Sequence, residues 1–296
     1  MKQPSNRLRI AIQQKGRLYE KCFDLLQKCG LTIDNSRRKL FSRIKELPID
    51  ILYVRDDDIP NFVANGVCDL GIVGENVFKE IHLEAKQELD LEIKFNLGFS
   101  KCRLSIAIPE AMEFTSPQNL SGLRIATTYS EILKQYLLQN NVSAEIIKMQ
   151  GSVEVAPHLK IADLICDIVS SGATLEANGL KEVQTILESQ AVLIGNANFS
   201  SPEKAEIADK LIKRIRGVLS AKTSKYVMLN APVEQVEAVA KLLPGVDSPT
   251  IVPLENSSKV AIHAVCLEPI FWETMENLKA LGCSSILVVP IEKMLE

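Results

Sequence analysis

An α/β fold of two lobes followed by a smaller C-terminal domain is what this sequence predicts, and three observations carry that reading. Short apolar runs alternate with helical patterns over the first two-thirds of the chain. Most of these runs are hydrophobic at nearly every position, as strands covered by helices on both sheet faces must be. Beyond Gly217 the texture tightens into two strand–helix–strand units within about 70 residues.

Taken in order, strands are expected over residues 8–12, 49–54, 69–73, 104–108, 124–127, 145–149 and 165–169. Helices are expected over 18–29, closed by Gly30, and over 59–65, closed by Gly66. Others should open near Glu75, after Ser130, after Val153 and after Thr174. Strands alternating with helices predict parallel sheets. Residues 100–113 read as a crossing from the first lobe to the second, and 183–195 as one long strand returning to the first. Ser201 can cap the next helix and Pro202 suits its first turn, while Ile207, Leu211, Ile215 and Val218 form one stripe. The C-terminal strands at 226–229, 250–254, 260–266 and 285–289, with helices at 233–243 (stopped by Pro244 and Gly245) and 270–281, read as a ferredoxin-like module.

Composition narrows the function. With 296 residues, 46% hydrophobic and 24% charged, the chain has ample core material and is not disordered. Its net charge of −3 leaves no basic excess, so nucleic acid is not an expected partner. The seven cysteines are scattered without metal-ligand spacing and read as buried reduced thiols. The first residues hold no apolar signal core, and no apolar run approaches the ~18 residues of a membrane helix. The expectation is a cytoplasmic protein without a membrane partner.

Several segments could carry chemistry. A strand over 165–169 runs into Ser170, Ser171, Gly172, Ala173 and Thr174, with a helix following at once. Backbone N–H groups there, with the hydroxyls and the helix dipole, would cradle an anion, and Gly172 would let a phosphate approach closely. Asp167, just upstream, could accept hydrogen bonds from sugar hydroxyls; the alternative is a plain helix cap. Lys15 and Arg17 flank Gly16 at the end of the first strand, where they could clamp phosphates or simply be solvated. Asp56, Asp57 and Asp58 resemble a metal site, but Asp58 before a helix with Pro60 in its first turn is placed to cap it. Gly74 and Glu75 follow a strand at the edge where open α/β sheets bind ligands. No P-loop or dinucleotide fingerprint is present, and His82, His158 and His263 form no ligand set or triad.

These strings resemble the ATP phosphoribosyltransferase family. The resemblance rests on 9–18, 48–60, 69–76, 151–157 and above all 167–175, Asp-Ile-Val-Ser-Ser-Gly-Ala-Thr-Leu, and the C-terminal segments 271–276 and 290–294 resemble the regulatory domain of its long form. It implies a two-lobed core like a periplasmic binding protein, with lobe I at 1–102 and 190–222, lobe II at 103–189 and a regulatory domain at 223–296. The implied reaction joins N1 of ATP to C1 of phosphoribosyl pyrophosphate (PRPP) and releases pyrophosphate, opening histidine biosynthesis. Magnesium would travel with the pyrophosphate, and no direct metal ligand is assigned. The expected roles are Asp167 on the ribose and Ser170–Thr174 on the 5′-phosphate, with Lys15, Arg17 and Arg55 on phosphate charge and Gly74, Glu75 and Arg103 toward ATP. Glu154 is a weaker candidate. Histidine, as effector, would meet Asn230, Thr250, Val265, Cys283 and Ser285, where Asn230 replaces an aspartate found in some members. Dimers and hexamers are the implied assemblies. A cytoplasmic two-lobed sensor that binds anions or nucleotides without chemistry would share this fold logic.

Overall fold

The structure, a computed structural model, describes residues 6–33, 40–86, 89–243, 245, 248–255, 258–267 and 272–295. The expected helix boundaries at Pro244 and residue 270 lie outside these residues, as does the side chain of Arg17.

The chain opens with β1 (Leu8–Gln13), α1 (Arg17–Lys28), β2 (Phe41–Arg43), β3 (Ile49–Val54), α2 (Ile59–Ala64), β4 (Leu70–Gly74), α3 (Glu75–Glu84) and β5 (Leu91–Asn96), and all but β2 and β5 arrive where the hydrophobic patterns place them. The chain then crosses to β6 (Cys102–Pro109), β7 (Arg124–Thr127), α4 (Ser130–Gln139), β8 (Glu145–Lys148), β9 (Leu164–Val169), α5 (Ala173–Ala177) and β10 (Leu180–Ser189), and returns as β11 (Ala191–Asn196). One sheet has the order β2-β3-β1-β4-β11-β5 and the other β10-β6-β9-β7-β8.

Both sheets are mixed, which corrects the expectation of parallel ones. Strands β1, β3 and β4 are parallel, as are β7, β8 and β9. Strand β11 runs antiparallel to β4 and β5, and β6 antiparallel to β9 and β10. The long strand expected at 183–195 is divided at Gln190, because β10 completes one sheet and β11 enters the other. Strands β2 and β5 escaped the sequence reading for a physical reason: β2 has three residues, and β5 is an edge strand with charged Glu92 and Lys94. The helix expected after Val153 is a single 3-10 turn, Val153–Val155, cut short before Pro157.

The chain divides into two compact units, Met1–Ala208 and Asp209–Glu296, so both sheets lie in the first. The division falls within α6 (Pro202–Lys222), whose third-residue amide at Lys204 donates to the Ser201 hydroxyl at 3.3 Å, the cap the sequence led us to expect. Its stripe of Ile207, Leu211, Ile215 and Val218 is buried. The second unit carries β12 (Ser224–Pro232), α7 (Val236–Leu242), β13 (Thr250–Pro253), β14 (Lys259–Leu267), α8 (Trp272–Ala280) and β15 (Ser284–Pro290). The sheet order β13-β14-β12-β15, antiparallel throughout, is ferredoxin-like. Period-2 burial puts Val227, Leu229, Ile262 and Ala264 in its core and leaves Met228, Asn230, His263 and Val265 on the opposite face. Among the described residues no helix is long and apolar enough to cross a membrane.

Helix α2 lies close enough to β4 that a Cβ at Gly71 would stand 2.5 Å from Ile59 Cγ2. Gly71→Ala should therefore destabilise the first unit by about 1–3 kcal/mol through overpacking. Chemical denaturation checks this; an unchanged midpoint would mean that the helix yields freely.

Candidate active site

Parallel strands β1, β3 and β4 deliver their carboxyl ends to one edge of the first sheet, and β7, β8 and β9 do so in the second. A cavity of about 580 Å³ is lined from the first lobe by Arg55 to Asp58, Val77, Glu80, Ile81 and Glu84. From the second it is lined by Thr128, Tyr129 and Lys148 to Gly151. This is the position at which open α/β sheets bind ligands, beyond the strand ends.

On the first lobe, the Gln14 amide donates to the Val54 carbonyl at 2.9 Å, so the turn bearing exposed Lys15 begins beside Arg55. Gly16, at φ 95°, closes that turn and stands as the N-cap of α1, which puts the Arg17 backbone at the helix start. The acidic residues form a 3-10 turn, Asp56–Asp58, in the cavity wall. Asp58 makes no side-chain cap bond to α2, which corrects the capping expectation. Burial, then Asp56 and further Asp58, push the Asp57 carboxyl above its ordinary range, with Arg55 opposing. Among the described residues no cluster of three or more His, Cys, Asp or Glu side chains could hold a metal ion.

On the second lobe, β9 ends in Ser170 and Ser171, which are exposed, and in Gly172 at φ 85° with nothing within 4 Å of where its Cβ would lie. Helix α5 has only five residues, so the dipole anticipated from sequence is slight and any cradle here rests on the loop itself. Asp167 is half-buried, and its Oδ1 accepts from the Ile168 amide at 2.8 Å. Burial, with the charge of Glu154 added, pushes its carboxyl up. Asp167 also helps raise the Tyr129 phenol, after burial, which ties the β9 end electrostatically to the cavity wall.

Other expected residues are placed differently. Glu75 pairs with Lys79 at 2.8 Å and lines a smaller pocket of about 310 Å³ with Lys101, Glu188, Ser189 and Gln190, at the crossing between the lobes. Gly74 makes room for a neighbour: a Cβ there would meet Asn76 Oδ1 at 2.5 Å. Arg103 stands opposite Val169 in the β6–β9 register, but its guanidinium is engaged by Glu182, whose carboxylate also accepts from Ser105 at 2.7 Å. In the second unit, Asn230 and Val265 share the helix-free face and Thr250 lies opposite His263. Ser285 is exposed at φ 52°. Cys283 is buried in the core, so its side chain is withdrawn from that face.

Sequence reasoning missed Asn76, Glu80, Thr128, Tyr129 and Lys148. Thr128 and Tyr129 had a legible signal: like 170–174, they join a strand's end to a helix. Glu80 had a fainter one, a carboxylate close to the apolar Val77 and Phe78 of an amphipathic helix.

These features define a two-lobed α/β protein with an interlobe cleft and a ferredoxin-like C-terminal domain. The chain belongs to the ATP phosphoribosyltransferase family: residues 55–217 match the family described as HisG, ATP phosphoribosyltransferase, and residues 221–293 match the HisG C-terminal domain. It is similar to an ATP phosphoribosyltransferase of Maricaulis maris, 49% identical over 98% of this chain and 99% of that one. Among solved structures it is similar to the ATP phosphoribosyl transferase (HisG:HisZ) complex from Thermotoga maritima, with TM-score 0.58 and 27% identity over 71% of this chain and 98% of that one. The protein is thus a transferase, acting on ATP and PRPP at the first step of histidine biosynthesis, in a family that generally needs a divalent metal.

A carboxylate held partly out of water costs the fold stability. Its folded-state pKa is raised, so the cost is full above that value and vanishes below the unfolded-state pKa near 3.9. Asp167→Asn should therefore raise the melting temperature at pH 7, with the gain fading as pH falls through the carboxylate range. Melting curves from pH 7 to pH 3 test this; a variant less stable than the wild type at pH 7 would contradict it.

Proposed function

We propose that transfer takes place in the interlobe cleft, with PRPP on lobe II and the attacking nucleotide brought to it across the gap. Asp167 accepts the ribose hydroxyls, and Ser170, Ser171, Gly172, Ala173 and Thr174 hold the 5′-phosphate. Lys15, Arg17 and Arg55 face the phosphate charge from lobe I. The observation that carries this reading is the close of β9: a carboxylate five residues before a glycine at φ 85°, on a loop open to solvent.

Adenine N1 is a weak nucleophile, so the enzyme's work is alignment with ribose C1 and stabilisation of charge as pyrophosphate leaves with inversion. No side-chain nucleophile is needed. A half-buried Asp167 acts on a cationic ribose more strongly than a solvated carboxylate would. The acidic turn at 56–58 fits a Mg2+ that arrives on substrate phosphates, since magnesium is commonly held by one or two carboxylates plus phosphate oxygens. Bound there, magnesium would neutralise the departing pyrophosphate. Glu75 and Arg103 serve the nucleotide end of the cleft, and for Arg103 this requires sharing or releasing Glu182.

In this reading, residues 1–102 and 190–222 form lobe I, 103–189 lobe II and 223–296 a regulatory domain that binds histidine. Asn230, Thr250, Val265 and Ser285 supply its contacts, Cys283 only through its backbone. The protein works in the cytoplasm as a dimer and is inhibited as a hexamer.

Release of pyrophosphate from ATP and PRPP, measured with and without magnesium, tests the reaction assignment. Thr174→Ala should raise the KM for PRPP by about tenfold or more, the value of a hydrogen bond to a charged group; an unchanged KM would move the cradle elsewhere. Asn230→Asp would add a charge partner for the effector's ammonium group. The histidine concentration for half-inhibition should fall by about two- to fivefold, as for an exposed ion pair. No change would take Asn230 out of the effector site.

A further inference from the structure

Helix α4 begins without a cap of its own: Tyr129, at the N-cap position, makes no side-chain bond to the first turn. The cap comes from the other lobe. Glu80 on α3 accepts from the Glu131 amide at 2.9 Å and the Ser130 hydroxyl at 3.2 Å through Oε1, and from the Ile132 amide at 3.0 Å through Oε2. At 6% exposure, this carboxylate is almost withdrawn from water.

Glu80 is the middle of three. Asn76, four residues earlier, donates from Nδ2 to the Tyr129 hydroxyl at 2.8 Å, while its Oδ1 accepts from Ser189 at the crossing at 2.8 Å. Four residues later, Glu84 accepts from Lys148 of lobe II at 3.0 Å. Residues four apart lie on one helix face, so α3 presents a polar stripe to lobe II. Apolar contact alone would let the lobes slide, whereas directed bonds one turn apart fix both angle and register. Around the stripe, Val77 and Phe78 pack into lobe I and Leu83 against the core of lobe II.

We propose that Glu80 is a positioning residue for the transfer reaction. By capping α4 from the opposite lobe, it sets the distance between the wall at Thr128 and Tyr129 and the turn at 55–58. This inference rests on the reading that PRPP and nucleotide approach from different lobes. The ribose and 5′-phosphate contacts assigned to Asp167 and 170–174 lie wholly in lobe II, so binding of ribose 5-phosphate, which lacks the pyrophosphate, does not need the clamp. Turnover does, because N1 and C1 must align across the gap.

Glu80→Gln keeps the shape but loses the charge and one of the two acceptors. Its kcat should fall roughly ten- to hundredfold while affinity for ribose 5-phosphate, by titration calorimetry, stays within about threefold. Amide exchange at Glu131 and Ile132 should quicken relative to the rest of α4. Glu80→Asp, which keeps the charge on a side chain shorter by one methylene, receives the same measurements should Glu80→Gln not fold. An unchanged kcat overturns the proposal, and so does a fall in kcat matched by ribose 5-phosphate affinity, which is the sign of general loosening. A wild-type protein that releases no pyrophosphate from ATP and PRPP would defeat the functional reading instead. In that case unchanged exchange at residues 131 and 132 in the variant would still overturn the clamp.

Discussion

Two backbone hydrogen bonds at the crossing between lobes set the terms for everything at the cleft. The Leu97 amide donates to the Ala191 carbonyl at 3.0 Å, and the Ala191 amide donates to the Phe99 carbonyl at 2.9 Å. They hold the outgoing and returning chains side by side, so the lobes turn about a double strand. A single linker would leave the strand ends free to point anywhere. With both crossings pinned together, the carboxyl ends of two separate sheets share one cavity.

Charge in that cavity and at the strand ends beside it is arranged against the ligand-free chain's own stability. Asp57 and Asp167 both have carboxyl groups raised by burial, and Asp56 and Asp58 flank the first, Asp58 with no side-chain cap bond to helix α2. Such groups are costly to fold and useful when cations or developing positive charge arrive. Arg103 shows the opposite solution, its guanidinium matched to a carboxylate held below its usual range by that same contact. Two neighbouring strands of the second sheet therefore differ in readiness: the end of β9 is open, and the start of β6 is occupied by its own partner.

Much of this was legible in the sequence because it is periodic or local. The strand-to-helix order, the cap of α6 at Ser201 and the ferredoxin-like order of the second unit follow from hydrophobic spacing and turn residues. Strand polarity was not legible, since 183–195 read as one long strand until the break at Gln190 assigns β10 and β11 to different sheets. The loop at 170–174 stood out because its glycine, serines and threonine share one short segment. Glu80 did not, because its meaning lies in amides at 131 and 132, which local pattern cannot bring near it. Asp58 misled in the reverse direction: its position suits a cap, yet the 3-10 turn it closes keeps the side chain from one.

The claim that PRPP sits at the end of β9 is tested most directly by a crystal structure of the protein with PRPP bound. The account requires the 5′-phosphate within hydrogen-bond distance of backbone amides at 171–174, with the ribose hydroxyls on the Asp167 carboxylate. A 5′-phosphate held instead on the turn between Gln13 and Arg17, with the 170–174 loop empty, would contradict it.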